Sequence, residues 1–218
     1  MIDNLKKEIK LPEIIPLFPL NGVVMFPDTY LPLNIFEPRY LKMIDQAISN
    51  NNRLIGMIQP QSSIETDNKL LFFRVGCAGK IVKFEETDDN RYLITLKGLS
   101  RFNLISEKTN DKNFREGNVD WDDFSKDLYV NVQSSDFGTL KTTLKKYFKL
   151  KNIRANMDAI DKFRDYNFAD QITMICPLAN NEKQLLLETT SISKRNKLLQ
   201  SILDSYLSEE NISDISKH

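Results

Sequence analysis

The spacing of apolar and polar positions divides this chain into an extended half and a helical half. Five prolines, Pro16, Pro19, Pro27, Pro32 and Pro38, lie between residues 16 and 40. Each fixes φ, removes a backbone donor and pushes the residue before it toward extended backbone. The apolar runs between them, 17–18, 23–26 and 31–35, are predicted as short strands, with Asn21-Gly22 and Pro27-Asp28 as turns. At Pro38 the period changes: Tyr40, Leu41, Ile44, Ala47 and Ile48 recur at helical spacing. A helix is predicted over 38–49, with Pro38 in its first turn, Glu37 before it and three asparagines after it.

A second extended region follows. Residues 54–58 read as a strand, and 71–76 with 80–85 as a pair broken around Gly76 and Gly79. Residues 86–90 read as a hairpin loop. Tyr92, Ile94 and Leu96 then alternate with polar neighbours, Phe102, Leu104 and Ile105 continue the pattern, and 114–121 is the last strand. The polar, partly acidic stretch 107–136 is predicted as the domain boundary. Beyond it helices are expected at 140–153, 168–176 (Asn167 as N-cap, Pro177 as stop), 182–188 and 194–207, with a loose tail after Ser208. The predicted class is α+β: a small β-barrel domain over 10–122 with one helix at 38–49, then a helical bundle over 135–208.

Charge narrows the chemistry. The 218 residues hold 30 Lys plus Arg and 30 Asp plus Glu, so no net charge draws the chain to nucleic acid or acidic membrane. The single histidine is His218, which excludes histidine-based triads and metal centres. Cys77 and Cys176 lack paired spacing and read as buried thiols of a reducing compartment. The first residues have no signal-like apolar core and no run is long enough to span a bilayer, so the cytosol is the expected location. Ser191-Ile192-Ser193-Lys194 matches S-x-x-K, but no partner motif accompanies it and a helix N-cap accounts for it. No glycine-rich phosphate loop occurs. The basic stretch 140–154 reads as an amphipathic helix with solvated lysines rather than a phosphate grip. Glu37 and Arg39, set among apolar residues, are expected to be partly desolvated, with Glu37 capping the helix and Arg39 tying strand ends together. A binding role is the alternative. No catalytic residue, cofactor or metal is predicted.

These residues resemble the Lon protease N-terminal, substrate-binding domain family. The likeness rests first on PLFPLNGVVMFPDTYLPLNIFEPRYLKMIDQAI, where 16–20, 23–27 and 35–40 match the family's two opening strands and its Ile-Phe-Glu-Pro-Arg-Tyr helix start. It continues through VGCAGKIVKFEETDDNRYLITLKGLSRFNLISE, with its Gly-x-x-Arg-Phe turn, and FADQITMICPLANNEKQLLLETTSISKRNKLLQSIL, the family's helical half. The resemblance implies a twisted PUA-like barrel and non-catalytic recognition of exposed or unfolded polypeptide segments, with a protease or chaperone as a further partner. Phe36, Glu37, Arg39 and Tyr40 are the residues it suggests for a binding rim. The chain has no Walker motif and no protease domain, and so is similar to stand-alone bacterial members. It departs from the family in the 87–90 loop, which lacks the usual glycine, and in the long acidic stretch 107–136. PUA-like barrels often bind RNA, which keeps an RNA-binding module using the basic 140–154 helix as the alternative.

Overall fold

The computed structural model describes residues 11–50, 52–61, 71–129, 137–163 and 166–215. Six strands are present: β1 (Ile14–Pro19), β2 (Tyr30–Ile35), β3 (Leu54–Ile58), β4 (Val75–Glu86), β5 (Tyr92–Thr109) and β6 (Arg115–Asp120). They form one mixed sheet in the order β2-β5-β4-β3-β1-β6. Among the described strands only β1 and β3 pair in parallel, and the chain between them, β2 and helix α1 (Pro38–Ser49), supplies the crossover that parallel pairing needs. β5 is 18 residues long, and its length organises the sheet. Its residues 92–97 pair with β2 and 103–109 with β6, while β4 runs along the other side of 92–103. The sheet therefore curls until β6 meets β5 as well as β1. β2 stays outside that ring with β5 as its one strand partner. The expected small barrel is thus a curled six-stranded sheet with an open edge, not a closed barrel.

A 3-10 turn (Asp122–Leu128) leads from the sheet toward the helices α2 (Gly138–Leu150), α3 (Met157–Lys162), α4 (Phe168–Ile175), α5 (Asn180–Glu188) and α6 (Ile192–Ile215). α1 begins as expected, with Pro38 in its first turn, and buries Tyr40, Met43, Ile44 and Ala47 on one stripe. One hydrophobic cluster joins Phe18, Met25, Phe26 and Ile44 to Leu144, Phe168, Leu186 and Leu199, so sheet and helices share a core. A second cluster, with Ile15, Leu17, Phe102 and Val119, fills the curl of the sheet.

Several expectations are corrected. Residues 23–26 are not a strand. Thr29 Oγ1 accepts from the Phe26 N–H at 3.2 Å and donates to its carbonyl at 2.6 Å, which holds the segment as a buried loop. Gly76 and Gly79 do not break a strand pair: both lie inside β4, where added Cβ atoms would strike Phe102 and Met25. Much of the supposed boundary is structured, since β5 runs to Thr109, β6 spans 115–120 and the 3-10 turn follows; residues 130–136 lie outside the described residues. That stretch reads as polar because most of the last residues of β5 are exposed. α3, capped by the Asn156 side chain, was not foreseen, and α6 continues through the supposed tail to Ile215.

Two buried ion pairs meet where the sheet joins the helices. Arg101, on β5, donates to both carboxylate oxygens of Asp127 at 2.7 and 2.8 Å, and to the Leu187 and Thr189 carbonyls at 3.0 Å each. Arg195, on α6, pairs with Asp170 on α4 and also reaches the Thr189 carbonyl at 2.5 Å. Both arginines are only 3% exposed, so their donors need protein partners, and these bonds occupy four of the five N–H donors of Arg101 and three of those of Arg195.

Candidate functional site

A groove of about 550 Å³ opens at the end of the sheet. Its walls come from segments far apart in sequence: the end of β1 with Phe18, the end of β2 with Leu33 and Ile35, the start of α1, and the β5–β6 hairpin with Phe114 and Arg115. All four residues suggested for a binding rim line it. Pro38 places them there, because the helix must start at once after β2 and so turns residues 36–40 across the groove mouth.

The four differ in kind. Phe36 is 61% exposed, a large ring on the surface with the Arg91 guanidinium 5.9 Å from its centroid. Tyr40 is buried, packed on Phe18 with ring centroids 4.5 Å apart, and burial raises its phenol pKa above the ordinary value. Glu37 and Arg39 form an ion pair at 2.8 Å, and Arg39 also lies 4.7 Å over the Tyr40 ring. Their side chains are 44% and 53% exposed. The two charges are therefore only partly desolvated, each keeping about half of its side chain in water because the helix start carries them to the rim. Glu37 occupies the N-cap position, yet its carboxylate makes no cap hydrogen bond and bonds Arg39 instead, and Arg39 ties no strand ends together. Phe18, Leu33, Phe114 and Arg115 were not singled out from the sequence. Each reads locally as an ordinary strand residue, and only the curl of the sheet assembles them.

The other sequence motifs resolve into structure. Ser191 sits just before α6, and its hydroxyl accepts from the Lys194 N–H at 3.4 Å. On α2, Lys141 is buried and donates to the carbonyls of Asp161 and Phe163 at 3.1 and 2.6 Å, and Lys145 pairs with Asp161. Both thiols are buried and free. Among the described residues no cluster of His, Cys, Asp and Glu could hold a metal ion, and no helix is long and apolar enough to cross a membrane.

Comparison with known proteins bears on the family and the fold. Residues 14–205 match the family model of the ATP-dependent protease La (LON) substrate-binding domain. The chain is 26% identical over 214 residues to Lon protease of Syntrophus aciditrophicus, covering 94% of this chain and 27% of that protein. It is 25% identical over 191 residues to Lon protease of Dictyoglomus thermophilum, covering 85% and 23%. The chain thus spans about a quarter of the length of these relatives. The N-terminal domain of a Mycobacterium avium complex Lon protease superposes with a TM-score of 0.60 at 14% identity, covering 88% of this chain and 98% of that one. A Lon N-terminal domain protein from Xanthomonas campestris gives 0.59 at 20% identity, covering 86% and 97%. The chain belongs to the Lon substrate-binding domain family, a substrate-recognition domain and not the catalytic part of the protease.

Proposed function

We propose that the protein binds exposed apolar segments of unfolded polypeptides in the groove between the β2–α1 junction and the β5–β6 hairpin, without catalysing a reaction, in the cytoplasm. The observation that carries this reading is the groove itself: an apolar floor of Phe18, Tyr40 and Phe114, an exposed aromatic at Phe36, and a charged rim at Glu37 and Arg39. Concave apolar sites with a few polar groups at the edge are where proteins take ligands, and an exposed large ring beside one is a usual anchor for a partner. The family supports a role in substrate recognition. A protease that degrades the captured chain is the further partner this reading suggests.

The test is titration with reduced, carboxymethylated α-lactalbumin, a permanently unfolded protein. Binding is expected, and Phe36→Ser with Leu33→Ser is expected to weaken it about tenfold or more, the loss of about 1.4 kcal/mol; Leu33 packs on the core, so the double variant melts lower, whereas Phe36→Ser alone weakens binding at an unchanged melting temperature. Unchanged affinity in that double variant would overturn the assignment to this groove. A salt-dependent gel shift with RNA, lost when Lys146, Lys149 and Lys151 are changed to Gln, would favour the RNA-binding alternative instead.

A further inference from the structure

The groove ends against β2, and β2 is an open edge. One backbone contact fixes which way its groups point. The Gly98 N–H donates to the Thr29 carbonyl at 2.9 Å, so Thr29 faces β5. Extended backbone alternates, so Leu31, Leu33 and Ile35 also face β5, and Tyr30, Pro32 and Asn34 turn their backbone groups outward. Pro32 agrees, since proline is tolerated in a sheet where its missing donor faces an open edge. The outward row thus carries the N–H groups of Tyr30 and Asn34 and the carbonyls of Tyr30, Pro32 and Asn34. No strand among the described residues covers them. The side chains of these three residues are exposed, while Leu31, Leu33 and Ile35 point to the inner face.

The other free edge is guarded. Beyond its pairing with β3, β4 carries a bulge near Ile81 and the charges Lys83, Glu85 and Glu86, the usual protection against strand addition. β2, Tyr-Leu-Pro-Leu-Asn-Ile, has no charge at all. We propose that β2 accepts an extended peptide as an added antiparallel strand, its alternate apolar side chains lying on the inner face in the groove; this rests on the peptide-binding reading above and states how the segment is held. A second copy of the chain fits less well. Symmetric pairing of β2 with itself centred on the outward row sets Pro32 opposite Pro32, where neither has an N–H to give, and shifting the register shortens the pairing. A peptide brings its own N–H to the Pro32 carbonyl.

The geometry says which amides of the peptide matter. Residues opposite Tyr30, Pro32 and Asn34 share their outer face and point their N–H groups at β2. Residues opposite Leu33 and Ile35 put side chains in the groove and point their N–H groups away. The probe is an end-capped, fluorescein-labelled peptide of alternating leucine and threonine. N-methylation of its threonine amides is expected to lower affinity about tenfold or more, and N-methylation of its leucine amides to leave it within about twofold. In the protein, Asn34→Pro, which removes an outward N–H, is expected to lose the peptide, and Asn34→Ala to keep it at an unchanged melting temperature. The peptide pair needs no protein variant and so stands even if Asn34→Pro misfolds. Equal affinity of both methylated peptides, or loss from the leucine set, would overturn antiparallel strand addition. If α-lactalbumin still binds in that case, the groove reading survives and only the backbone mode fails; if neither probe binds the parent chain, both fall. A dimer in sedimentation that Asn34→Pro abolishes would give the edge to a second copy and overturn the peptide assignment.

Discussion

Arg39 is the residue at which sequence and structure part most clearly. Its apolar neighbours suggest a partly desolvated charge in a buried arrangement, whose removal would cost about 3–5 kcal/mol. The structure places Arg39 and Glu37 on a rim, each about half exposed, and exposed pairs contribute about 0.2–1 kcal/mol. Arg39→Ala is therefore expected to shift the melting temperature by no more than a few degrees, with about 2–4 °C per kcal/mol in a chain of this size. A loss of stability well beyond that would return Arg39 to a structural role. The thiols behave as the sequence suggests. Burial pushes the Cys176 thiol up to about 12 and raises Cys77 further. The thiolate is the reactive form, so neither is expected to react with Ellman's reagent at mildly alkaline pH until denaturant is added. Rapid labelling of the folded protein would show that one of them reaches solvent.

Among the elements, what could be read was whatever local pattern alone decides. α1 was legible to its first residue because a change of period and a proline coincide at Pro38. The loop at 23–26 was misread because its apolar letters are buried by tertiary contact with the helices, which a strand and a buried loop share alike. β4 was read as broken because glycine usually weakens a strand, whereas here Gly76 and Gly79 admit Phe102 and Met25. Gly98 shows the same logic most strongly. A Cβ there would collide with the Phe26 carbonyl, which the backbone holds in place through Thr29. Gly98→Ala is expected to lower stability by about 1–3 kcal/mol, the range for overpacking in a close-packed site, read as a lower denaturant midpoint. An unchanged midpoint would mean that the loop at Phe26 moves freely. The Gly-x-x-Arg-Phe stretch, expected as a turn, lies inside β5 and has a physical meaning there: Gly98 admits the loop, Arg101 joins the ion pair and Phe102 fills the curl. The groove was legible only along its β2–α1 wall, because its other walls are brought up by strand pairings that no short window of sequence contains.

At the scale of the whole molecule, we propose that residues 10–122 and 135–208 are two structural halves that unfold together. The larger core contains side chains from both. Thr189, between α5 and α6, accepts at its carbonyl from Arg101 on β5 and Arg195 on α6, so the two buried ion pairs meet at one backbone oxygen. Burial raises the Asp170 pKa above the ordinary carboxylate value, and the two-point contact with Arg195 opposes that. Removing the charge from Asp170 would leave the guanidinium buried without its counter-ion, which costs about 3–5 kcal/mol. If the halves were independent, that loss would melt only the helices. The single tryptophan, Trp121, separates the cases, since it packs 5.8 Å from Phe102 in the curl of the sheet, away from α4 and α6. Asp170→Asn is expected to lower the denaturant midpoint of Trp121 fluorescence and of the far-ultraviolet helix signal by the same amount, in one transition. A fluorescence midpoint that stays at the parent value while the helix signal shifts would show that the sheet stands without the helices, and that the shared core couples them too weakly to make one cooperative unit.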